Sequence, residues 1–340
     1  MQKLLKIIIL SFCLFFLCAC VNTKAATSNI KDSVGHEFSL NLPLKKVTST
    51  HNPTLNHLIV LGNGTSKYIA GFGRKDIASN LYSKILPDWD SIECVGSDST
   101  SVNKEEIVKL HPDLIILPEL NWRAKEKDYE GTGIDTFVCF PQDESVDSIK
   151  LSLTDLAKLF GEEERASLII DKYNEIYNDV NASVRDVKTK PKVVFFGPQL
   201  YTVAAKNMIQ NDLIESAGSR CIDSNVNNES YFVSVEPETL NAQNPEYIFI
   251  PSYAKYSVDD ILNDKKLSNI DAVKQKNVFK FPSALEPWDY ATCSSCLGLC
   301  WLVNKLHPEV YSKDRVVSNS LSFYKLLYNH DFTFEELGLQ

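Results

Sequence analysis

The longest regular pattern of apolar and polar positions lies in the middle of the chain. Apolar residues recur every three or four positions from Ile149 to Val187, which is the spacing of one face of an α-helix. Gly161 divides the pattern where a glycine typically ends a helix. The stretch from Glu162 to Val187 holds neither proline nor glycine, and at about 1.5 Å per residue it predicts a helix of roughly 39 Å. A helix of this length is a candidate link between two lobes, with an ordinary surface helix as the alternative.

Two similar segments, 105–117 and 238–250, flank this helix. In each, a glutamate lies seven residues before a proline, an acidic residue follows the proline, and an apolar run comes next. This order is typical of a short helix, a stop at the proline and a buried strand. The repeat therefore indicates two similar α/β lobes, one on each side of the long helix.

Predicted strands and helices alternate through both flanks, which favours parallel sheets. We expect an α/β protein with two Rossmann-like lobes, parallel sheets, a single long helix joining them and a ligand cleft between the lobes. Among the shorter elements, we expect a hairpin that turns at Asp32–His36 and a helix that begins at an N-cap, Thr54. The expected divisions are a signal peptide (1–19), a tether and N-terminal hairpin (20–46), an N-terminal lobe (47–142), linking helices (143–188), a C-terminal lobe (189–315) and a C-terminal extension (316–340).

Composition and charge narrow the class of protein. The 340 residues suffice for two domains of ordinary size, and 44% hydrophobic with 23% charged residues is typical of a globular protein. The net charge is -9, and the sequence has no basic block. An acidic chain of this kind is a poor nucleic-acid binder, so we expect no nucleic-acid partner.

The N-terminus has the pattern of a secretory leader. Lys3 and Lys6 precede an apolar run, and Cys20 directly follows a Leu-Cys-Ala sequence that resembles the bacterial lipobox. This resemblance implies cleavage before Cys20 and a lipid on its sulfur, with an uncleaved anchor or an ordinary signal peptide as alternatives. We therefore expect an extracytoplasmic protein, anchored to the bacterial cell membrane through lipid.

Aromatic and polar residues cluster directly after the predicted strands. Ligands of open α/β sheets bind beyond the carboxyl ends of the strands, and Trp and Tyr rings give stiff contact area there. The few cations at these positions could hold an anionic group, although each ring or cation could instead pack or remain solvated. The candidate ligand-binding residues are His51, Asn52, Arg74, Trp122, Tyr201, Lys206, Tyr231, Tyr253, Trp288, Asp289 and Tyr290.

Three cysteines near the C-terminus form an unusual pattern. Cys293, Cys296 and Cys300 share one face of a predicted helix from Ala291 to Leu306, and the first two fall in its opening turn. Thiols at a helix N-terminus ionise more easily, so Cys293 and Cys296 are candidate ligands for a soft metal or a haem iron. A disulfide, a redox role or simple packing are the alternatives. Three isolated cysteines are expected to be buried and inert: Cys94, Cys139 and Cys221.

The sequence contains no recognisable catalytic motif. It has no Gly-x-Ser-x-Gly, no phosphate-binding loop, no His-Glu-x-x-His and no paired-carboxylate motif. We therefore expect a binding protein and not an enzyme.

Short motifs follow one another in a specific order from Ile30 to about Pro308. They are Asp32 to His36, Leu61 to Gly64, Ile69 to Gly71, Val95 to Gly96, Asn103 to Ile116, Leu159 to Ala166, Leu213 to Gly218, Pro245 to Ile248 and Leu306 to Glu309. Their order and spacing resemble the substrate-binding proteins of ATP-binding-cassette (ABC) transporters for ferric siderophores, haem and cobalamin. The sequence departs from the family pattern in its Ser49–Pro53 loop, at Gly218–Ser219 and in its three C-terminal cysteines.

The resemblance implies two lobes joined by a rigid helix, with the ligand held between them. It also implies a metal complex of iron or cobalt as ligand, no covalently bound cofactor, and a monomer that partners an ABC permease and ATPase. One exposed glutamate per lobe is expected to dock on the permease. By register these are Glu105 and Glu238, with Glu236 as the alternative in the second lobe.

Two other functions fit parts of the sequence. A receptor for molybdate or tungstate would use Arg74 and backbone amides, and a thiol-redox or chelatase-like lipoprotein would use Cys293 and Cys296. A rigid link between the lobes limits their closure, and the largely preformed cleft that follows favours a bulky chelate.

Overall fold

A computed structural model describes residues 26–96, 101–222 and 230–339 of the chain. It begins with an antiparallel hairpin in which Lys31 pairs with Glu37. The Asp32 carboxylate accepts the backbone N–H of His36 at 2.8 Å and so stabilises the predicted turn. The predicted leader and the lipidation site at Cys20 lie outside the described residues. The hairpin strands are β1 (Ala26–Lys31) and β2 (Glu37–Leu42).

The N-terminal lobe is built on a parallel sheet of four strands, in the order β4-β3-β5-β6. Its central strand β5 is an uninterrupted apolar run that is buried along its whole length, as expected of a sheet covered on both faces. The strands are β3 (Val47–Thr48), β4 (Ile69–Gly71), β5 (Leu114–Leu117) and β6 (Thr136–Val138). The helices are α1 (Asn52–Leu61), α2 (Ser79–Ile85), a short 3₁₀ helix (Trp89–Ser91), α3 (Lys104–Leu110) and α4 (Trp122–Lys127).

Two long helices join the lobes. Helix α5 (Val146–Phe160) begins with a capping box at Ser145 and ends at Gly161, whose φ of 66° is left-handed. Helix α6 (Glu163–Val184) has 22 residues and buries the predicted apolar stripe from Ile169 through Tyr173 to Val180, whereas Val184 is half-buried. Helix α5 contacts α1 on one side and the later helix Ile209–Ser216 on the other, while α6 packs against the helices Ser295–Leu306 and Lys313–Tyr328. The predicted long helix is therefore confirmed, although it ends three residues before Val187.

The C-terminal lobe repeats the design with a second parallel sheet, in the order β12-β11-β7-β9, and a small antiparallel ribbon of β8 and β10. The strands are β7 (Lys192–Phe195), β8 (Thr202–Ala204), β9 (Arg220–Cys221), β10 (Phe232–Ser234), β11 (Tyr247–Ile250) and β12 (Val278–Lys280). The helices are α7 (Ile209–Ser216), α8 (Pro237–Gln243), α9 (Val258–Leu262), α10 (Asp271–Lys274), α11 (Ser295–Leu306) and α12 (Lys313–Tyr328).

The two flanking sequence segments adopt the same local structure. Helices α3 and α8 end at His111 and Asn244, with left-handed φ values of 48° and 47°. The acid after each proline then accepts backbone N–H groups at the start of the neighbouring strand: Asp113 from Lys46 at 3.0 Å, and Glu246 from Lys192 at 2.9 Å. The repeated sequence order therefore has a repeated structural cause, and the two-lobed α/β fold is confirmed.

Two predicted helix starts are wrong. Helix α1 begins at Asn52 with His51 as its N-cap, two residues before the predicted cap at Thr54. Pro53 lies in its first turn, where a missing N–H and a fixed φ are tolerated. Helix α11 begins at Ser295 instead of Ala291.

A buried polar network ties the two lobes together. The Glu286 carboxylate, in the segment before α11, accepts hydrogen bonds from Asn56 Nδ2 at 3.0 Å and from the Tyr328 hydroxyl at 2.9 Å. These partners lie on α1 and α12, so one carboxylate joins the N-terminal lobe, the C-terminal lobe and the last helix. One hydrophobic core likewise continues through both lobes and the linking helices. None of the described helices is both long and apolar enough to serve as a transmembrane span.

Candidate ligand-binding cleft

A cleft of about 560 Å³ lies between the lobes. The start of α1 and the loop after β4 form its N-terminal wall, and the loops after β7 and β11 and the segment before α11 form its C-terminal wall. Because the strands of both sheets are parallel, the loops at their carboxyl ends face one another across this space. The volume falls within the range of about 300–1,000 Å³ that is typical of small-molecule sites.

Six of the predicted ligand-binding residues line the cleft. They come from both walls, and they are His51, Asn52, Arg74, Tyr231, Tyr253 and Tyr290.

The N-terminal wall combines an imidazole, an amide and a guanidinium group. His51 Nδ1 lies 3.0 Å from Thr54 Oγ1, and its ring lies edge-on to Phe140 with centroids 5.0 Å apart. Arg74 is exposed, and its Nε donates to the Asp76 carboxylate at 3.0 Å. This partner raises the pKa of Arg74, while the guanidinium lowers the pKa of Asp76. The charge of Arg74 is therefore already balanced by a neighbour.

The C-terminal wall presents two tyrosine rings in front of buried polar groups. Tyr253 and Tyr290 form an edge-to-face pair with ring centroids 5.2 Å apart. Gln210, from the first turn of α7, lines the cleft and donates from Nε2 to the backbone oxygen of Asp289 at 2.7 Å. The Asp289 side chain is fully buried, and burial raises its pKa to about 7.

Glu144 enters the cleft from the segment between β6 and α5. It accepts the backbone N–H of Ile209 at 3.3 Å, at the start of α7, and the surrounding protein raises the pKa of its carboxyl to about 7. Glu144 and Gln210 were not predicted from the sequence because neither follows a strand directly. The signal that could have identified Glu144 is its place just before the N-cap of the linking helices, at the junction of the lobes.

Five predicted residues do not line the cleft. Trp122 packs against His36, with ring centroids 5.0 Å apart, and Trp288 is buried and donates from Nε1 to the Tyr324 hydroxyl at 2.6 Å. Tyr201 donates to Asp264, on the side of the lobe near Glu238. Lys206 is exposed outside the cleft wall, and Asp289 lies behind the wall.

The three C-terminal cysteines are buried free thiols. Cys293 precedes helix α11, while Cys296 and Cys300 lie within it. Burial raises the pKa of Cys293 and Cys296 and raises that of Cys300 to about 11, so the prediction that a helix N-terminus would ease their ionisation is wrong. In the part of the chain that the structure describes, no three His, Cys, Asp or Glu side chains are placed to hold a metal ion. The isolated cysteines differ: Cys139 is buried as expected, Cys221 is half-buried and Cys94 is exposed.

Comparisons with known proteins agree on the fold and the class. The chain is 22% identical to the molybdate-binding protein MolA of Haemophilus influenzae, over 89% of this chain and 92% of that protein. The crystal structure of MolA bound to molybdate superposes with a TM-score of 0.76 at 19% identity, covering 90% of this chain and 99% of MolA. Helicobacter pylori CeuE in a nickel–histidine complex superposes with a TM-score of 0.75 at 22% identity. The superposition covers 92% of this chain and 98% of CeuE. A periplasmic solute-binding protein of Veillonella parvula superposes with a TM-score of 0.75 at 21% identity. That superposition covers 92% of this chain and 96% of the Veillonella protein.

A family model described as periplasmic binding protein matches residues 57–285, which include the C-terminal sheet, the linking helices and every strand of the N-terminal sheet except β3. The match spans more than half of the chain, and it agrees with the two lobes, the helical link and the cleft between them. The chain belongs to the periplasmic binding protein family.

Proposed function

We propose that this protein captures a small metal complex outside the cytoplasm and delivers it to an ABC permease. Members of its family are solute receptors of transporters and not enzymes. The observation that carries the proposal is the cleft, which sets a tyrosine pair on one lobe against His51 on the other. Aromatic and imidazole groups on facing walls suit a compact chelate with both flat and polar surfaces. Candidate ligands are complexes of iron or cobalt, such as a ferric siderophore, haem or a corrinoid, and a nickel–histidine complex.

The limited freedom of the lobes supports a preformed site. The linking helices pack against elements of both lobes, and the Glu286 network joins α1 to the C-terminal lobe. A receptor of this kind gains affinity because little ordering is needed on binding. It would act as a monomer, anchored through lipid on Cys20.

The docking residues proposed for the permease are Glu105 and Glu238. Both are exposed, and each is the second residue of its helix, α3 or α8, six positions before a left-handed C-cap. Glu236 is instead the N-cap residue of α8, a position that Asn103 occupies in α3. The structural repeat therefore favours Glu238 over Glu236.

A receptor for molybdate or tungstate is the second candidate. It is favoured by the likeness to MolA and by the place of Arg74 on the cleft wall. An oxyanion would have to compete with Asp76 for the Arg74 guanidinium, because the two side chains are already paired.

Isothermal titration calorimetry with a fixed panel tests the proposal. The panel is a ferric siderophore, haemin, cobalamin, a nickel–histidine complex and molybdate. We expect one of the metal complexes to bind, and we expect Arg74→Gln to leave that binding within about threefold, because the guanidinium is already paired. Arg123→Gln, an exposed arginine outside the cleft, is the matched control. If molybdate binds and Arg74→Gln abolishes that binding, the second candidate is established. If no member of the panel binds, the receptor proposal is wrong.

A further inference from the structure

Buried polar atoms around the cleft share one chemical property. Two side-chain oxygens of its lining residues are shielded from solvent and have no hydrogen-bond partner among the described residues: Asn52 Oδ1 and Gln210 Oε1. Each is a hydrogen-bond acceptor. With the Glu144 carboxyl, these side chains form what we call the acceptor floor: Asn52, Glu144 and Gln210. A buried acceptor without a donor is unfavourable, so this floor is suited to a ligand that brings donors.

The orientation of Gln210 is fixed by its neighbour. Its Nε2 donates to the backbone oxygen of Asp289 at 2.7 Å, and reversing the amide would place two acceptor oxygens against each other. Oε1 must therefore remain the unpartnered atom. Gln210 is only 5% exposed and lines the cleft, so bulk water is a poor substitute for a bound donor.

The carboxyl groups at the cleft, Glu144 on its wall and Asp289 behind it, are not paired with the cations of the cleft wall. Asp289 is fully buried behind the wall, where its carboxyl group already has the Tyr253 hydroxyl as a hydrogen-bond partner. Of the two cations on the cleft wall, Arg74 is paired with Asp76, and Lys255 is exposed to solvent. The floor therefore combines amide oxygen acceptors with the Glu144 carboxyl, which forms no ion pair in the described part of the chain.

We propose that the acceptor floor binds a positively charged, N–H-bearing end of the ligand, such as amine or imidazole groups coordinated to a metal ion. This inference rests on the proposed receptor function and names the chemical class that the site selects. An oxyanion carries only acceptors and negative charge, so the floor would repel it. A complex with cationic donors at one end and acceptors at the other would satisfy the floor and leave its acceptor end near Lys255.

Two inorganic probes of opposite charge test the inference by calorimetry. Hexaamminecobalt(III) is cationic and presents only N–H donors, whereas molybdate is anionic and presents only acceptors. We expect the first to bind in the cleft and to compete with whichever panel ligand binds, and we expect molybdate to do neither. Glu144→Gln should weaken hexaamminecobalt(III) binding by about tenfold, since it removes a charged acceptor but keeps an oxygen for the Ile209 N–H.

Two further variants keep the test independent of folding. Asn52→Asp adds a negative charge at the first position of α1, where the helix dipole tolerates it, and should strengthen hexaamminecobalt(III) binding severalfold. Glu130→Gln removes the same charge from an exposed site outside the cleft and should change nothing. The inference is overturned if hexaamminecobalt(III) fails to compete with a bound panel ligand, or if both cleft variants bind it as the wild type does. In those cases the receptor function stands, whereas a panel without any ligand would remove the receptor function itself.

Discussion

Three carboxyl groups that the protein shields from water set the electrostatics of this molecule at the level of single residues. Burial raises the pKa of Glu144, Glu286 and Asp289 to about 7 in each case. Glu286 differs from the other two in the hydrogen bonds that hold it, because both the Asn56 amide and the Tyr328 hydroxyl donate to its carboxylate. All three change charge near neutral pH, which makes the energetics of the native state sensitive to pH in the physiological range.

Glu286 gives the clearest stability prediction. Its folded pKa of about 7 lies above the ordinary value of 4.5, so the native state holds more protons than the unfolded state between these two values. Stability is therefore greatest below about pH 4.5, falls as the pH rises, and reaches its lower level above about pH 7. Glu286→Gln should match the wild type near pH 5 and be more stable near pH 8, by up to roughly 3 kcal/mol.

Urea denaturation at pH 5 and pH 8 measures this difference. Glu130→Gln is the control, because its carboxyl is exposed and its removal should leave the pH dependence of the wild type. A Glu286→Gln variant with the wild-type loss of stability between the two pH values would contradict the prediction.

The sequence identifies cleft residues well where a strand end places them. Parallel strands bring the loops at their carboxyl ends to one edge of the sheet, which is why Arg74, Tyr253 and Tyr290 were predicted. All three residues line the cleft. The same rule does not give the direction of a side chain. Trp288 turns its indole to Tyr324, and this packing depends on α12, which is distant in sequence.

At the level of elements, helix α11 sets the position of one cleft wall. Gly298 brings this helix so close to the preceding segment that an added Cβ would lie 2.4 Å from the backbone oxygen of Trp288. Tyr290 follows two residues later in the same segment. The absence of a side chain at Gly298 therefore positions the C-terminal wall of the cleft.

Gly298→Ala should lower stability, although alanine is ordinarily the better helix former. The overlap with the Trp288 backbone requires a shift of the segment, and overpacking of this kind typically costs about 1–3 kcal/mol. Thermal denaturation should show a lower midpoint, and affinity for the ligand should fall with it because Tyr290 moves. Ser318→Ala on the exposed face of α12 controls for a small change in a neighbouring helix. A denaturation midpoint for Gly298→Ala equal to or above that of the wild type would contradict the prediction. It would show that the segment around Trp288 shifts without lowering stability.

A long periodic pattern made helix α6 predictable, whereas several of the shortest strands were not predicted. The pattern of α6 repeats over six turns, so its core residues could be identified from sequence, whereas β8, β9 and β10 have two or three residues each and carry no periodicity. Helix α12 has apolar positions at helical spacing but lies beyond the family motifs, so its role in closing the core emerged only from its contacts with α1, α6 and α11.

At the level of the whole molecule, the two lobes present matched surfaces. Helices α3 and α8 occur at the same point of each sheet and carry Glu105 and Glu238 at the same helical position. A permease with one site for each lobe would then recognise both glutamates at a fixed separation, because the shared core and the linking helices hold the lobes together.

Replacing Glu105 or Glu238 by alanine should reduce ATP hydrolysis by the reconstituted permease–ATPase complex by about tenfold, without changing ligand affinity. Glu236→Ala is the matched control, since Glu236 lies two residues away and is equally exposed, but serves as an N-cap. Stimulation that is lost with Glu236→Ala and retained with Glu238→Ala would reverse the assignment. A change in calorimetric affinity would show that the residue acts in the cleft instead.

The contrast between the buried and exposed thiols has a practical consequence. Cys94 is exposed, and its Sγ donates to the backbone oxygen of Gly73, the residue before Arg74. Cys139, Cys293, Cys296 and Cys300 are enclosed in the core and would escape a thiol-reactive dye in the folded protein. A maleimide fluorophore on Cys94 would therefore sit beside the mouth of the cleft and convert capture of a solute into an optical signal.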